Sequence, residues 1–179
     1  MSLALEKARQ VRLLVLDVDG VLSDGGLHYA NSGEETKTFC TPDGLGIKML
    51  QGQGIGVAII TGRSSQIVER RARELGIEQL IQGRDDKLTA LREMLPELGL
   101  TADDVAYMGD DLPDLAAIQA CALGMTPADG DEFVANFADW RSQRPGGRGA
   151  VREACEFILN AQDKLDVARA NFLLAEDQA

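Results

Sequence analysis

Between residues 13 and 126, short apolar runs alternate with stretches of helical periodicity, and this alternation constrains the fold more than any single motif. The runs at 13–18, 56–61, 79–82, 105–109 and 123–126 are strand-length and bounded by turn residues. Between them, residues 45–51, 64–75, 87–98 and 113–121 repeat their apolar positions at helical spacing. Continuous apolar strands separated by helices describe a parallel sheet with both faces covered and right-handed crossovers. The spacing therefore predicts an α/β, doubly wound (Rossmann-like) fold. With 179 residues, 45% of them hydrophobic, the chain has enough apolar surface for one domain over 1–179. Ligands of such sheets bind beyond the carboxyl ends of the strands. Three predicted strands end in chemistry-bearing residues: Asp17 and Asp19, then Thr61-Gly62-Arg63, then Gly109-Asp110-Asp111.

A net charge of −11 excludes a phosphate-backbone binder, which needs clustered Lys and Arg, so an anionic ligand has to be small and met by local cations or a metal. Cys40, Cys121 and Cys155 are odd in number and lack metal-type spacing, which fits reduced thiols. The opening SLALEKARQV is amphipathic rather than a secretory signal, and no apolar run reaches membrane-span length. A cytoplasmic protein without nucleic-acid or membrane partners is the expectation.

Between the first strand and the first helix, Leu27 and Tyr29 alternate before the turn residues Asn31, Ser32 and Gly33, so residues 25–40 read as a hairpin flap, too short for a cap domain. After Trp140, a turn at RPGGRG precedes a long helical pattern over about 150–179. Its apolar residues, from Val151 to Phe172, exceed what one domain edge needs and predict a partner surface. Phe137 and Trp140 are expected to anchor this tail.

If the strand runs through Asp17 and Asp19, alternation projects both carboxylates to one side. So close a pair is tolerable when a divalent cation neutralises it or when the two share a proton; a solvated Asp-Gly turn is the bland alternative. Thr61-Gly62 opens a helix and suits an anion at a helix N-terminus, or serves only as a turn capped by Ser64. Lys87 begins a helix, where a cation is disfavoured by the macrodipole; it answers either to an anion or to Asp85 and Asp86. In GDDLPD, Asp110, Asp111 and Asp114 supply further carboxylates, one of them free to be a helix cap. Two acid clusters at neighbouring strand ends describe an oxygen-ligand site for Mg²⁺. His28 is the only histidine, which excludes a His-based triad or a two-His metal site.

The ordered set Asp17-Val18-Asp19-Gly20, Thr61-Gly62-Arg63, Lys87 and Gly109-Asp110-Asp111-x-x-Asp114 resembles the motifs of the haloacid dehalogenase-like phosphohydrolases. The DVDGVLSDGG opening, the short flap, the TPDG segment and the GGRGAVRE tail resemble, within them, the capless tetrameric phosphatases of 3-deoxy-D-manno-octulosonate 8-phosphate, which serve lipopolysaccharide sugar synthesis. The resemblance implies Asp17 as nucleophile and Asp19 as general acid and base. It implies Mg²⁺ held by Asp17, the backbone carbonyl of Asp19 and Asp110. Thr61 and Lys87 would hold the phosphoryl oxygens, with Asp111 and Asp114 in supporting or capping places. It also implies that Cys40, Thr41, Pro42, Asp43 and Gly44 read the sugar together with Lys48, Arg63 and Arg71. Arg71 belongs to a basic run with Arg70 and Arg73 that is otherwise a solvated helix face, and Arg148 is a candidate to reach a neighbouring subunit's site. A homo-oligomer, a tetramer by resemblance, is expected to supply the water control that a cap would give. Phosphatases of nine-carbon acidic sugar 9-phosphates share these motifs, and a non-catalytic oligomeric scaffold of the same fold is the reading from a different class.

Overall fold

The computed structural model describes residues 2–173. After α1 (Leu3–Ala8), β1 (Leu13–Leu16) runs through the middle of the molecule, all four of its residues buried. The flap is a hairpin of β2 (His28–Tyr29) and β3 (Glu35–Thr36), in which Tyr29 faces Glu35. Then follow α2 (Thr41–Gly52), β4 (Gly56–Ile60), α3 (Gln66–Leu75), β5 (Gln79–Ile81), α4 (Lys87–Glu97) and β6 (Val105–Met108). The chain continues through α5 (Leu115–Ala120), β7 (Leu123–Thr126), α6 (Glu132–Ala135), β8 (Trp140–Arg141), α7 (Ala150–Ala161) and α8 (Leu165–Leu173).

The main sheet is parallel, in the order β5-β4-β1-β6-β7-β8. From β1 the chain winds outward through β4 and β5, then returns to place β6 on the other side of β1. That reversal opens the crevice where ligands of doubly wound sheets bind. Side-chain alternation divides the core between the two faces. Leu14, Leu16, Ile59 and Met108 pack towards α1, α2, α3 and α7. Leu13, Val15, Ile60 and Tyr107 pack towards α4 and α5. No cap domain is inserted among the described residues.

Several expectations need correction. The strands stop early, at Leu16, Ile60 and Met108, so Asp17, Thr61 and Gly109 stand just beyond the ladder. The helix expected from residue 45 starts at Thr41, because Pro42 in its first turn needs no amide partner and Cys40 is already extended. The tail is two helices, broken where Asp163 takes φ +55; residues 174–179 of the expected tail lie outside the described residues. Of its apolar residues, Val151, Ala154, Cys155, Ile158 and Leu159 are buried in this chain's own core and are not a partner surface, whereas Val167 and Phe172 of α8 stay exposed. Trp140 does anchor the tail, 5.3 Å from the Phe157 ring, but Phe137 packs tilted against Phe133 at the surface.

Candidate active site

Asp17 follows β1 directly, and its amide still donates to the Met108 carbonyl at 3.0 Å. It shares parity with Leu13 and Val15, so its side chain falls on the face covered by α4. There Lys87, the first residue of α4, places Nζ 3.0 Å from Asp17 Oδ1 and 2.7 Å from Asp114 Oδ1. Asp17, Lys87 and Asp114 are all buried. Of the two readings of Lys87, the solvated one is therefore excluded. The Tyr107 hydroxyl donates to Asp114 Oδ1 at 2.8 Å and the Asp110 amide to Asp114 Oδ2 at 3.3 Å, so both oxygens of Asp114 are engaged. Asp111 caps the 3₁₀ turn that leads into α5, its Oδ1 2.7 Å from the Leu112 amide.

Asp17, Asp110 and Asp114 each bring a carboxylate oxygen within 4.8 Å of the others. Burial, reinforced by the charge of Asp114 and opposed by Lys87, pushes the Asp17 carboxyl up to about 6. Burial together with the charges of Asp17 and Asp114 pushes Asp110 up to about 7. One ammonium among three carboxylates leaves an excess of negative charge that suits a hard divalent cation. Asp17 and Asp110 fit as its carboxylate ligands. Asp114 does not, since its oxygens already accept from Lys87, Tyr107 and the Asp110 amide. The remaining expected ligand, the Asp19 backbone carbonyl, lies in the turn between them in sequence. Gly20 is required for this arrangement: it holds φ +92, and a Cβ there would lie 2.1 Å from Asp110 Oδ2.

Asp19 has a different set of partners. Ser23 Oγ donates to its Oδ1 at 3.2 Å, and Lys37 Nζ donates to the same oxygen. Arg63 Nε stands 3.8 Å from Oδ2, while Arg63 Nη2 donates to the Tyr29 hydroxyl at 2.8 Å and to Glu35 at 3.3 Å. Asp17 and Asp19 are thus not a proton-sharing pair, and strand alternation does not align them; each carboxylate has its own cations. Lys37, Glu35, Tyr29 and Ser23 were not anticipated as site residues. The signal was available: Glu35 and Lys37 share a hairpin face, and Tyr29 stands across from Glu35.

Thr61, 2% exposed, follows β4 directly, its amide donating to Ile81 and its carbonyl accepting from Arg84. Gly62 is held close to Asp85, whose Oδ1 would meet a Cβ at 2.4 Å.

The residues expected to read the sugar divide. Thr41 and Pro42 are exposed in the first turn of α2, and Cys40 is half-buried at its N-cap. Arg71 lies 5.8 Å over the Phe39 ring, and Gly44 is kept bare beneath its guanidinium. A cavity of about 300 Å³ opens between Phe39, Thr41, Ile67 and Arg71. Asp43 is elsewhere: it is 1% exposed, and its carboxylate accepts from the Gly149 amide at 3.2 Å and the Arg152 amide at 2.8 Å. It caps α7 and is not free to meet a ligand. Lys48 is two turns along α2 from the crevice, near Gly76 at the end of α3, because α2 runs back towards the amino edge of the sheet. Within one subunit it does not join the site. Arg148 is exposed and 3.4 Å from Asp24, in a turn whose Gly146 packs so tightly on the loop after β1 that a Cβ would lie 1.7 Å from the Gly20 carbonyl oxygen. A separate cavity of about 440 Å³ lies at the amino edge of the sheet around Arg12, Ile55 and Gln79 and contains none of these groups.

No protein-family model matches the chain. It is 47% identical over 163 residues to the 3-deoxy-D-manno-octulosonate 8-phosphate phosphatase of Escherichia coli K12, covering 91% of this chain and 87% of that one. A crystal structure of the phosphatase of the same name from Moraxella catarrhalis, in complex with magnesium ion, phosphate ion and a KDO molecule, is 48% identical. It superposes with a TM-score of 0.93 over 94% of this chain and 97% of that one. A hydrolase structure from Legionella pneumophila, described as haloacid dehalogenase superfamily (subfamily III A), is 48% identical with a TM-score of 0.92, covering 96% and 94% of the two chains.

Proposed function

The chain belongs to the 3-deoxy-D-manno-octulosonate 8-phosphate phosphatase family of haloacid dehalogenase-like hydrolases, and on that premise we propose that it hydrolyses this phosphate ester with Mg²⁺, serving lipopolysaccharide sugar synthesis. The observation that carries this reading is Asp17, buried 3.0 Å from Lys87 Nζ and clustered with Asp110 at the carboxyl edge of the sheet.

Asp17 and Asp110, with the Asp19 carbonyl, would hold the metal. Bound there, Mg²⁺ offsets phosphate charge, so that an anionic nucleophile can approach an anionic ester. A carboxylate oxygen of Asp17 bonds to phosphorus as the bond from phosphorus to the sugar oxygen breaks, leaving an aspartyl phosphate. Asp19 gives its proton to the departing sugar oxygen. It then takes a proton from the water that attacks phosphorus, and the Asp17 carboxylate is released with inorganic phosphate. Thr61 and Lys87 hold the transferring phosphoryl oxygens. Arg63, Arg71, Thr41 and the backbone of the Cys40–Gly44 turn face the acidic sugar, whose carboxylate needs cations beyond those at phosphorus.

The chain acts as one catalytic domain. With only a hairpin over the crevice, water is controlled by a neighbouring subunit, so the working form is a homo-oligomer, a tetramer as in the resemblance, in the cytoplasm. No helix of the described residues is long and apolar enough to cross a membrane.

Phosphate release with Mg²⁺ from a panel of 3-deoxy-D-manno-octulosonate 8-phosphate, nine-carbon acidic sugar 9-phosphates and neutral hexose phosphates tests the substrate. A preference for the eight-carbon acid of about a hundredfold in kcat/KM, about 2.7 kcal/mol, supports it. A flat profile removes the substrate and keeps the chemistry; release from no member returns the scaffold reading.

A further inference from the structure

The Asp19 carboxylate is held unequally. Its Oδ1 accepts from both Ser23 Oγ and Lys37 Nζ, whereas Arg63 Nε stands 3.8 Å from Oδ2, too long for a hydrogen bond. The side chain of Lys37 is 1% exposed, although the residue belongs to a hairpin whose tip is open to solvent. Burying an ammonium on so short a flap is costly unless the ion it meets has to be fixed. Glu35, 3.7 Å from Lys37 Nζ, also accepts from Arg63, which in turn donates to Tyr29. Three residues of the hairpin are therefore tied through Arg63 and Lys37 to one carboxylate of the catalytic loop.

From this geometry we infer that Lys37 is a positioning residue for proton transfer: by occupying Oδ1 of Asp19 it leaves Oδ2 as the oxygen that exchanges the proton, and it makes that exchange depend on the seating of the flap. The inference rests on the reading of Asp19 as general acid and base. In the first step the proton leaves Oδ2 for the ester oxygen as the bond to phosphorus breaks. In the second step the same oxygen takes a proton from the attacking water. Lys37 keeps its own protons throughout and touches neither phosphorus nor the sugar. Without it the carboxylate rotates about its last torsion, and neither oxygen is held on the line to the ester oxygen.

The test compares wild type, Lys37→Met, Lys37→Gln, Lys37→Arg and Asp19→Asn with Mg²⁺, each checked for a native circular dichroism spectrum. On 3-deoxy-D-manno-octulosonate 8-phosphate, Lys37→Met and Lys37→Gln should lose about tenfold or more in kcat with KM within about twofold, and Lys37→Arg should recover most of the loss. On a series of aryl phosphates, which lack a carboxylate, the neutral variants should show kcat/KM falling more steeply as the leaving phenol becomes less acidic, as Asp19→Asn does. Good leaving groups need no proton, so nitrophenyl phosphate should be nearly unaffected. A loss expressed in KM, an equal loss across the aryl series, or unchanged kcat on the sugar phosphate overturns the inference. A wild-type enzyme that releases phosphate from none of these substrates overturns the phosphatase reading instead.

Discussion

Lys87 Nζ lies 2.7 Å from Asp114 Oδ1, closer than it lies to Asp17, and this contact explains how a lysine can begin a helix in the core. Asp114 holds the ammonium against the positive end of α4, and Tyr107 and the Asp110 amide hold Asp114. Removing Lys87 alone leaves two buried carboxylates unpaired. Lys87→Met is expected to cost about 3–5 kcal/mol in urea unfolding without metal and to abolish turnover. Combining it with Asp114→Asn should cost less than the sum of the single changes, because the second substitution removes a charge that the first strands.

The raised carboxyls give the metal-free protein a defined pH response. Asp17 titrates at about 6 and Asp110 at about 7 when folded, against 3.8 for an ordinary aspartate. Between about pH 4 and 7 the folded state therefore binds more protons than the unfolded chain, so these two groups make stability fall as pH rises through that window. Lys87 opposes the rise, while Asp114 and Asp111 face the same pocket and add to it. Surface carboxylates such as Asp86 and Asp104, held below their ordinary values by Arg84 and Thr101, act in the opposite sense and only below about pH 4. Melting temperatures with chelator should decline from pH 5 to 7.5, and Mg²⁺ should raise the melting temperature more at pH 7.5 than at pH 5. Equal stabilisation by Mg²⁺ at both would contradict the assignment of Asp17 and Asp110 as its ligands.

Gly20→Ala puts a methyl group where Asp110 Oδ2 now stands, at a φ that L-residues avoid. Mg²⁺ affinity measured by calorimetry should weaken about ten- to hundredfold while the circular dichroism spectrum stays native. Unchanged affinity would mean that Asp110 does not hold the metal.

Asp43 separates a sugar reader from a helix cap. If it caps α7, Asp43→Ala lowers stability by about 2 kcal/mol, through one buried and one half-buried amide left without acceptors, and KM for the sugar phosphate stays within about threefold. A large KM effect with unchanged stability would return Asp43 to the substrate.

The parallel sheet was legible because buried strands announce themselves as apolar runs, and Asp17, Thr61, Lys87 and Asp110 were legible because each stands at an element boundary with a glycine or another acid within two residues. What escaped was decided by contacts between segments distant in sequence. Nothing local in TPDG says that Asp43 meets the amides of residues 149 and 152, or that α2 carries Lys48 away from the crevice. The two residues of β8 are too few to leave a periodicity, and the apolar residues of α7 find their partners in α1 and α2, which are distant in sequence, while Val167 and Phe172 of α8 remain exposed. Lys37 differs: hairpin alternation puts it on one face with Glu35, but a hairpin lysine is normally solvated, and the burial of its ammonium against Asp19 is visible only in the folded flap.

Acid quench of enzyme mixed with 3-deoxy-D-manno-octulosonate 8-phosphate and Mg²⁺ on the millisecond scale, followed by peptide mapping, tests the chemistry most directly. A phosphoryl group on Asp17, absent from Asp17→Asn and longer-lived in Asp19→Asn, is the predicted result. Continued phosphate release by Asp17→Asn, or a phosphoryl group on any other residue, would contradict it.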